Sequence, residues 1–255
     1  MAIHEAAQQG YSSESSTYQR GRPEYPAQLI GWLERDLGAR AGAEVVDLGA
    51  GTGKFTGLLA RLGAGVTAIE PVDAMRERLV QAVSGVRALP GSAESMPFAD
   101  ASVDAVACAQ AFHWFANEAA LREIHRVLRP GGRLGLIWNV RDETVDWVAA
   151  ITKIITPYEG DTPRHYTGRW RQPFEGQDLF TPLQRTVFAH SHVGSFDQVV
   201  IDRFMSVSFI AALPEAKKRE VEARLRGLQE DYPELRQETI AFPYQTEAWL
   251  SERRE

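Results

Sequence analysis

The 255 residues of the chain suit one α/β domain with an elaboration and are enough to bury a full core. A formal charge of −6, with Lys217, Lys218, Arg219, Arg224 and Arg226 interleaved with acids at helical spacing, argues against nucleic acid, which needs a clustered cationic face. The single cysteine, Cys108 in an apolar strand, excludes a disulfide framework, and with neither a basic-then-apolar leader nor a run of membrane-spanning length the expected place is the cytoplasm.

Residues 1–25 are polar and serine-rich and are expected to form a mobile N-terminal lid, with Tyr18 and Arg22 placed to close over a ligand. Pro26 to Leu37 carries apolar residues at helical spacing and ends at Gly38. Strands and helices then alternate: strands over 44–48, 65–70, 86–89, 103–109 and 133–138, helices over 53–62, 73–83 and 117–128. Short apolar strands between helices predict a doubly wound, mostly parallel sheet with its ligand at the carboxyl ends of the strands. Beyond Arg141 the pattern loosens: a helix at 145–155, a strand at 184–193, a buried helix at 197–213 and a charged helix at 214–230. Thr239 to Tyr244 reads as a last strand leading into a short C-terminal helix.

The most telling stretch is Val45-Val46-Asp47-Leu48-Gly49-Ala50-Gly51-Thr52-Gly53-Lys54, a strand entering three glycines at alternate positions. Such glycines take positive φ and let a ligand lie on bare backbone. The next strand ends in Glu70, placed to bind ribose hydroxyls. A phosphate-binding loop is excluded by Leu48 and Phe55 where Gly and a hydroxyl belong. A dinucleotide loop is disfavoured by Lys54 in place of the third Gly and by Asp47 beside the phosphates. A ligand with an ammonium and a sulfonium, S-adenosylmethionine, suits the acid. A nicotinamide oxidoreductase and a non-catalytic cofactor-binding subunit are the rival readings.

In this segment the chain resembles the class I S-adenosylmethionine-dependent methyltransferases, in the small-molecule branch that includes ubiquinone/menaquinone-type and trans-aconitate-type enzymes. Further segments carry the resemblance in order: Gly91-Ser92-Ala93-Glu94, Val103 to Gln110, and Arg126 to Leu134, with Tyr18 to Pro26 and Gln110 to Phe115 fitting the branch. The resemblance implies a seven-stranded Rossmann-like sheet ending in an antiparallel hairpin, with a helical cap over the acceptor. The expected organisation is a cofactor-binding core over 26–141, a cap over 142–182 and 195–232, and final strands with a C-terminal helix over 183–194 and 233–255. Asp47, Gly49, Gly51 and Gly53 would hold the methionine end of the cofactor, Glu70 the ribose, and Met75, Ser92 and Ala93 the adenine. Gln110 would lie near the reacting centre, and Tyr18 and Arg22 would close over the cofactor. Ser92 departs from the Asp that relatives often carry there.

Methyl transfer is a displacement in which the cofactor supplies the electrophile, so the protein positions, desolvates and in some enzymes deprotonates the acceptor. His113, directly after the fourth strand, is the candidate base, its unperturbed pKa of ~6.5 suiting that task. Trp114, Trp138, Arg141 and Trp170 are the candidate wall for a small planar or anionic acceptor. No metal is expected: His125, His190 and His192 lack companions at ligand spacing.

Overall fold

The computed structural model describes residues 21–255. Seven strands form one sheet in the order β3-β2-β1-β4-β5-β7-β6. Strands β1 (Glu44–Leu48), β2 (Gly65–Ile69), β3 (Arg87–Leu89), β4 (Val103–Ala109) and β5 (Leu128–Arg141) pair in parallel. Strand β7 (Ile240–Glu252) runs antiparallel between β5 and β6 (Gln184–Gly194). This is the mostly parallel Rossmann-like sheet with an antiparallel C-terminal hairpin that the alternation and the resemblance imply.

Helices cover both faces, which is why the central strands are apolar on both sides. Val46, Leu48, Val106 and Cys108 pack on one face against Leu121 and Ile124 of α4 (Glu118–Val127). That helix starts at Asn117, whose side chain accepts from the Ala120 amide at 2.9 Å and satisfies one of the unpaired donors of the first turn. On the other face Val45, Ala105 and Ala107 pack with Leu29 of α1 (Ala27–Trp32) and Phe55 and Leu59 of α2 (Lys54–Arg61). Helix α3 (Asp73–Ala82) follows β2 and buries Met75 and Leu79.

A separate cluster joins α5 (Asp146–Ile155), residues 196–210 and α8 (Glu215–Asp231) to Phe242 and Tyr244 of β7. Residues 197–213 do not form the single buried helix expected. A π-helical turn at Asp197–Asp202 precedes two short helices, α6 (Arg203–Met205) and α7 (Ser208–Ala211). The expected cap over 142–182 also divides: α5 joins this cluster, whereas Trp170 and Phe180 sink into the core of the sheet.

The C-terminal helix is corrected to strand. Glu247-Ala248-Trp249-Leu250 has helical propensity, but β7 hydrogen-bonds to a neighbour on each side, and that pairing overrides the local preference.

Candidate cofactor and acceptor site

A cavity of about 770 Å³ opens at the carboxyl ends of β1, β2 and β4. The glycine loop forms one wall. Gly49, Gly51 and Gly53 have φ of 75°, 57° and 88°. A side chain at Gly49 would bring its Cβ to 2.7 Å from that of Ala111, whereas Gly51 faces open space. The loop thus presents bare backbone to the cavity, as a closely approaching ligand requires.

Glu70 is buried at the end of β2 and lines the cavity. Its Oε2 accepts from the Gly51 amide at 2.8 Å and its Oε1 from the Val72 amide at 2.9 Å. Burial raises its pKa, and these two amide bonds and Arg76 pull against that rise. A carboxylate oxygen accepts more than one hydrogen bond, so each retains capacity for a ribose hydroxyl. Met75, Ser92 and Ala93 also line the cavity, with Glu94 beside them. The Glu94 carboxylate accepts from Asn117 at 3.0 Å; burial raises its pKa, but hydrogen bonds, that from Asn117 foremost, leave it lowered.

Gln110 stands in the cavity at the end of β4 with φ of 60°, unusual for a residue with a side chain, and its amide is tied to Ile137 O at 2.8 Å. Arg22 lines the cavity and its Nη2 donates to Ser206 O at 3.4 Å. Trp114 and Phe115 complete an aromatic side. Tyr18 lies outside the described residues.

Five of the expected site residues lie outside the cavity lining. Asp47 lies beneath the loop, outside the cavity lining, because alternation along β1 turns it toward α2, where its Oδ2 accepts from Thr56 at 2.6 Å. Burial pushes its pKa up to about 7, and its Oδ1 is buried with no hydrogen-bond partner among the described residues. His113 is likewise absent from the lining. Its Nδ1 accepts from the Trp138 indole at 3.1 Å, so the neutral ring carries its proton on Nε2 and has no free basic nitrogen. Burial, with Arg164 and His165 nearby, depresses its pKa to about 3. Trp138 and Trp170 are each 1% exposed and pack with ring centres 4.6 Å apart and planes tilted by 38° in the sheet core, outside the cavity lining. Arg141 also lies outside the lining, its guanidinium over the Phe204 ring at 5.4 Å.

Asn139 and Arg203 are among the cavity residues that the sequence reading did not assign to the site. Asn139 follows Trp138 on β5 and therefore faces the opposite side; its Nδ2 donates to Glu24 O at 3.0 Å and its Oδ1 accepts from Thr246 at 2.6 Å. A strand-end polar residue was a usable signal. Arg203 comes from the broken helix at 197–211, and nothing in the local pattern singles it out.

The chain matches the family model for a methyltransferase domain over residues 46–136. An uncharacterized methyltransferase-like protein of Schizosaccharomyces pombe is 36% identical over 245 residues, covering 95% of each chain. An uncharacterized methyltransferase of Mycobacterium tuberculosis is 38% identical over 244 residues, 92% of each. The solved structure of the YcgJ protein from a Bacillus superposes with a TM-score of 0.58 at 22% identity, covering 90% of this chain and 100% of that one, a likeness of fold. With full-length relatives at this identity and the glycine loop, acid-tipped β2 and hairpin-ended sheet in place, the chain belongs to the class I S-adenosylmethionine-dependent methyltransferases.

Proposed function

We propose that this cavity holds the cofactor and passes its methyl group to a small-molecule acceptor by positioning and desolvation, without a metal ion and without proton transfer to His113. The observation that carries the reading is the union, in one cavity, of a nucleoside half and a second half. The first comprises Gly49, Gly51, Gly53, Glu70, Met75, Ser92 and Ala93, and the second Trp114, Phe115, Asn139 and Arg203. The glycine loop would lie along the methionine end, Glu70 would accept the ribose hydroxyls, and Met75 with Ala93 would pack on the adenine. The Ser92 hydroxyl would accept from the adenine amino group, more weakly than a carboxylate would. Arg22 would pair with the cofactor's carboxylate. Asp47 serves this arrangement from below, fixing α2 and the loop through Thr56.

When bound, the cofactor would supply an electrophilic methyl group on a sulfonium, available to an electron pair on an O, N or C atom of the acceptor. The remaining work falls to the chain: Gln110 and Asn139 orient polar groups, while Trp114 and Phe115 exclude water from the approach. Trp138 occupies the one ring nitrogen of His113 that could take a proton, so His113 acts by holding the aromatic layer behind the cavity.

Calorimetric titration with S-adenosylmethionine, S-adenosylhomocysteine and NAD(H) tests the cavity. Saturable binding of the first two without NAD(H), and a loss of tenfold or more in Glu70→Ala, is the expected result. Unchanged affinity in a folded Glu70→Ala protein would sink the assignment.

A further inference from the structure

Arg203 does more than line the cavity. Its Nε donates to the Tyr244 hydroxyl at 3.2 Å, and its Nη1 is buried with no hydrogen-bond partner among the described residues. Its guanidinium carbon stands 5.4 Å from the centre of the Phe204 ring, and that of Arg141 stands 5.4 Å from the same ring. Arg164 approaches from the following loop, over the Phe209 ring at 5.1 Å and with Nε 3.3 Å from Glu159 Oε1.

The charges of this group do not balance. Among the described residues Glu159 is its one buried carboxylate, and it is already shared: Tyr166 donates to its Oε2 at 2.5 Å. The nearest acid to Arg141, Glu143, is 3.6 Å away and about half exposed. Burial lowers the pKa of Arg141 and of Arg203, the latter to about 10; Tyr244 pulls against that fall, and neighbouring guanidinium groups, Arg164 for the first and Arg22 and Arg141 for the second, add to it. Cations held out of water without matching anions are costly, and the cost falls when an anion joins them. A guanidinium presents paired N–H donors that match the two oxygens of a carboxylate or phosphate.

We infer that the acceptor carries an oxyanion group, a carboxylate or a phosphate, bound by the Arg203 guanidinium where it lines the cavity, with Arg141 and Arg164 behind it. This rests on the cavity being the methyl-transfer site. Arg22 is left to the cofactor's own carboxylate, so the two anions have separate partners. Arg203 and Asn139 together then fix which end of the acceptor faces the methyl group.

The test uses the full chain saturated with S-adenosylhomocysteine. Small mono-, di- and tricarboxylates, their amides, and phosphate monoesters are titrated calorimetrically at fixed ionic strength. The expected result is saturable binding of at least one acid or phosphate ester, with the matching amide or alcohol at least tenfold weaker. Arg203→Met should weaken that ligand tenfold or more while S-adenosylhomocysteine affinity stays within twofold, and Arg203→Lys should restore part of the loss. Should Arg203→Met fail to fold, Arg141→Met, which removes the second cation over Phe204 from outside the cavity lining, should weaken the same ligand several-fold. Equal binding of acid and amide, no binding of any anion, or a loss of cofactor affinity in Arg203→Met would overturn the inference. A wild-type protein that does not bind S-adenosylhomocysteine would instead overturn the reading of the cavity itself.

Discussion

Asp47 shows how a single side chain can be legible in kind and misplaced in role. Its position at the end of an apolar strand marks the cofactor loop, but which face it takes follows from the phase of β1, and only α2 packing above it decides that. Its burial has a consequence for stability. A carboxyl whose pKa rises from 3.8 to about 7 on folding binds more protons in the folded than in the unfolded chain between those values, so its contribution to stability falls as pH rises through that window. Three pKa units correspond to roughly 4 kcal/mol at most. His113 acts with the opposite sign: depressed to about 3, it leaves the unfolded chain binding more protons between that value and ~6.5, so its contribution rises with pH. The two slopes offset each other in the wild-type protein, and removing one exposes the other. Asp47→Asn should therefore gain stability relative to wild type as pH increases from 5 to 8, read as the difference between their thermal midpoints. A difference that stays constant across that range would show that Asp47 is ionised throughout in the folded protein.

At the scale of elements, the glycine loop was readable because its chemistry is local: glycine takes three positive φ values so close together at the least steric cost. Gly49 adds a packing demand that the sequence does not display, since the residue it would strike, Ala111, comes from the turn after β4. Gly49→Ala combines an unfavourable φ with a 2.7 Å clash and so must displace either the loop or that turn. The expected outcome is at least a tenfold loss of S-adenosylmethionine affinity by calorimetry, together with a lowered thermal midpoint. Gly51→Ala, facing open space, should cost affinity with a smaller drop in midpoint. Equal midpoints for the two variants would count against the clash. Strands β1, β2 and β4 were legible for the same local reason, each being a short, mostly apolar run. The second half of strand β7 and the broken helix at 197–211 were not. Pairing on two sides decides the first, and packing against Phe242 and Tyr244 decides the second, and both are contacts made far along the chain.

At the scale of the molecule, the cofactor half and the second half of the cavity differ in how they are specified. The first comes from one continuous stretch, residues 49–93, whereas the second joins Trp114 and Phe115 to Asn139 from β5 and Arg203 from the far cluster, so topology alone unites them. Phe242 is the junction. It is fully buried on β7, meets Trp147 of α5 edge-to-face at 4.9 Å and lies 5.7 Å from Phe204, beside the Tyr244 that holds Arg203. Truncating such a ring costs about 3–5 kcal/mol. Because the same contacts fasten the helical cluster to the sheet, the loss should be felt by the whole fold. In urea, Phe242→Ala should unfold in one transition with a lowered midpoint and an unchanged slope, followed in parallel by tryptophan fluorescence and circular dichroism. The site should respond through Arg203: anion binding should weaken while S-adenosylhomocysteine affinity, set by the loop and Glu70, changes little. Two separated transitions would mean that the cluster melts independently of the sheet, and the acceptor half would then be a unit with its own stability.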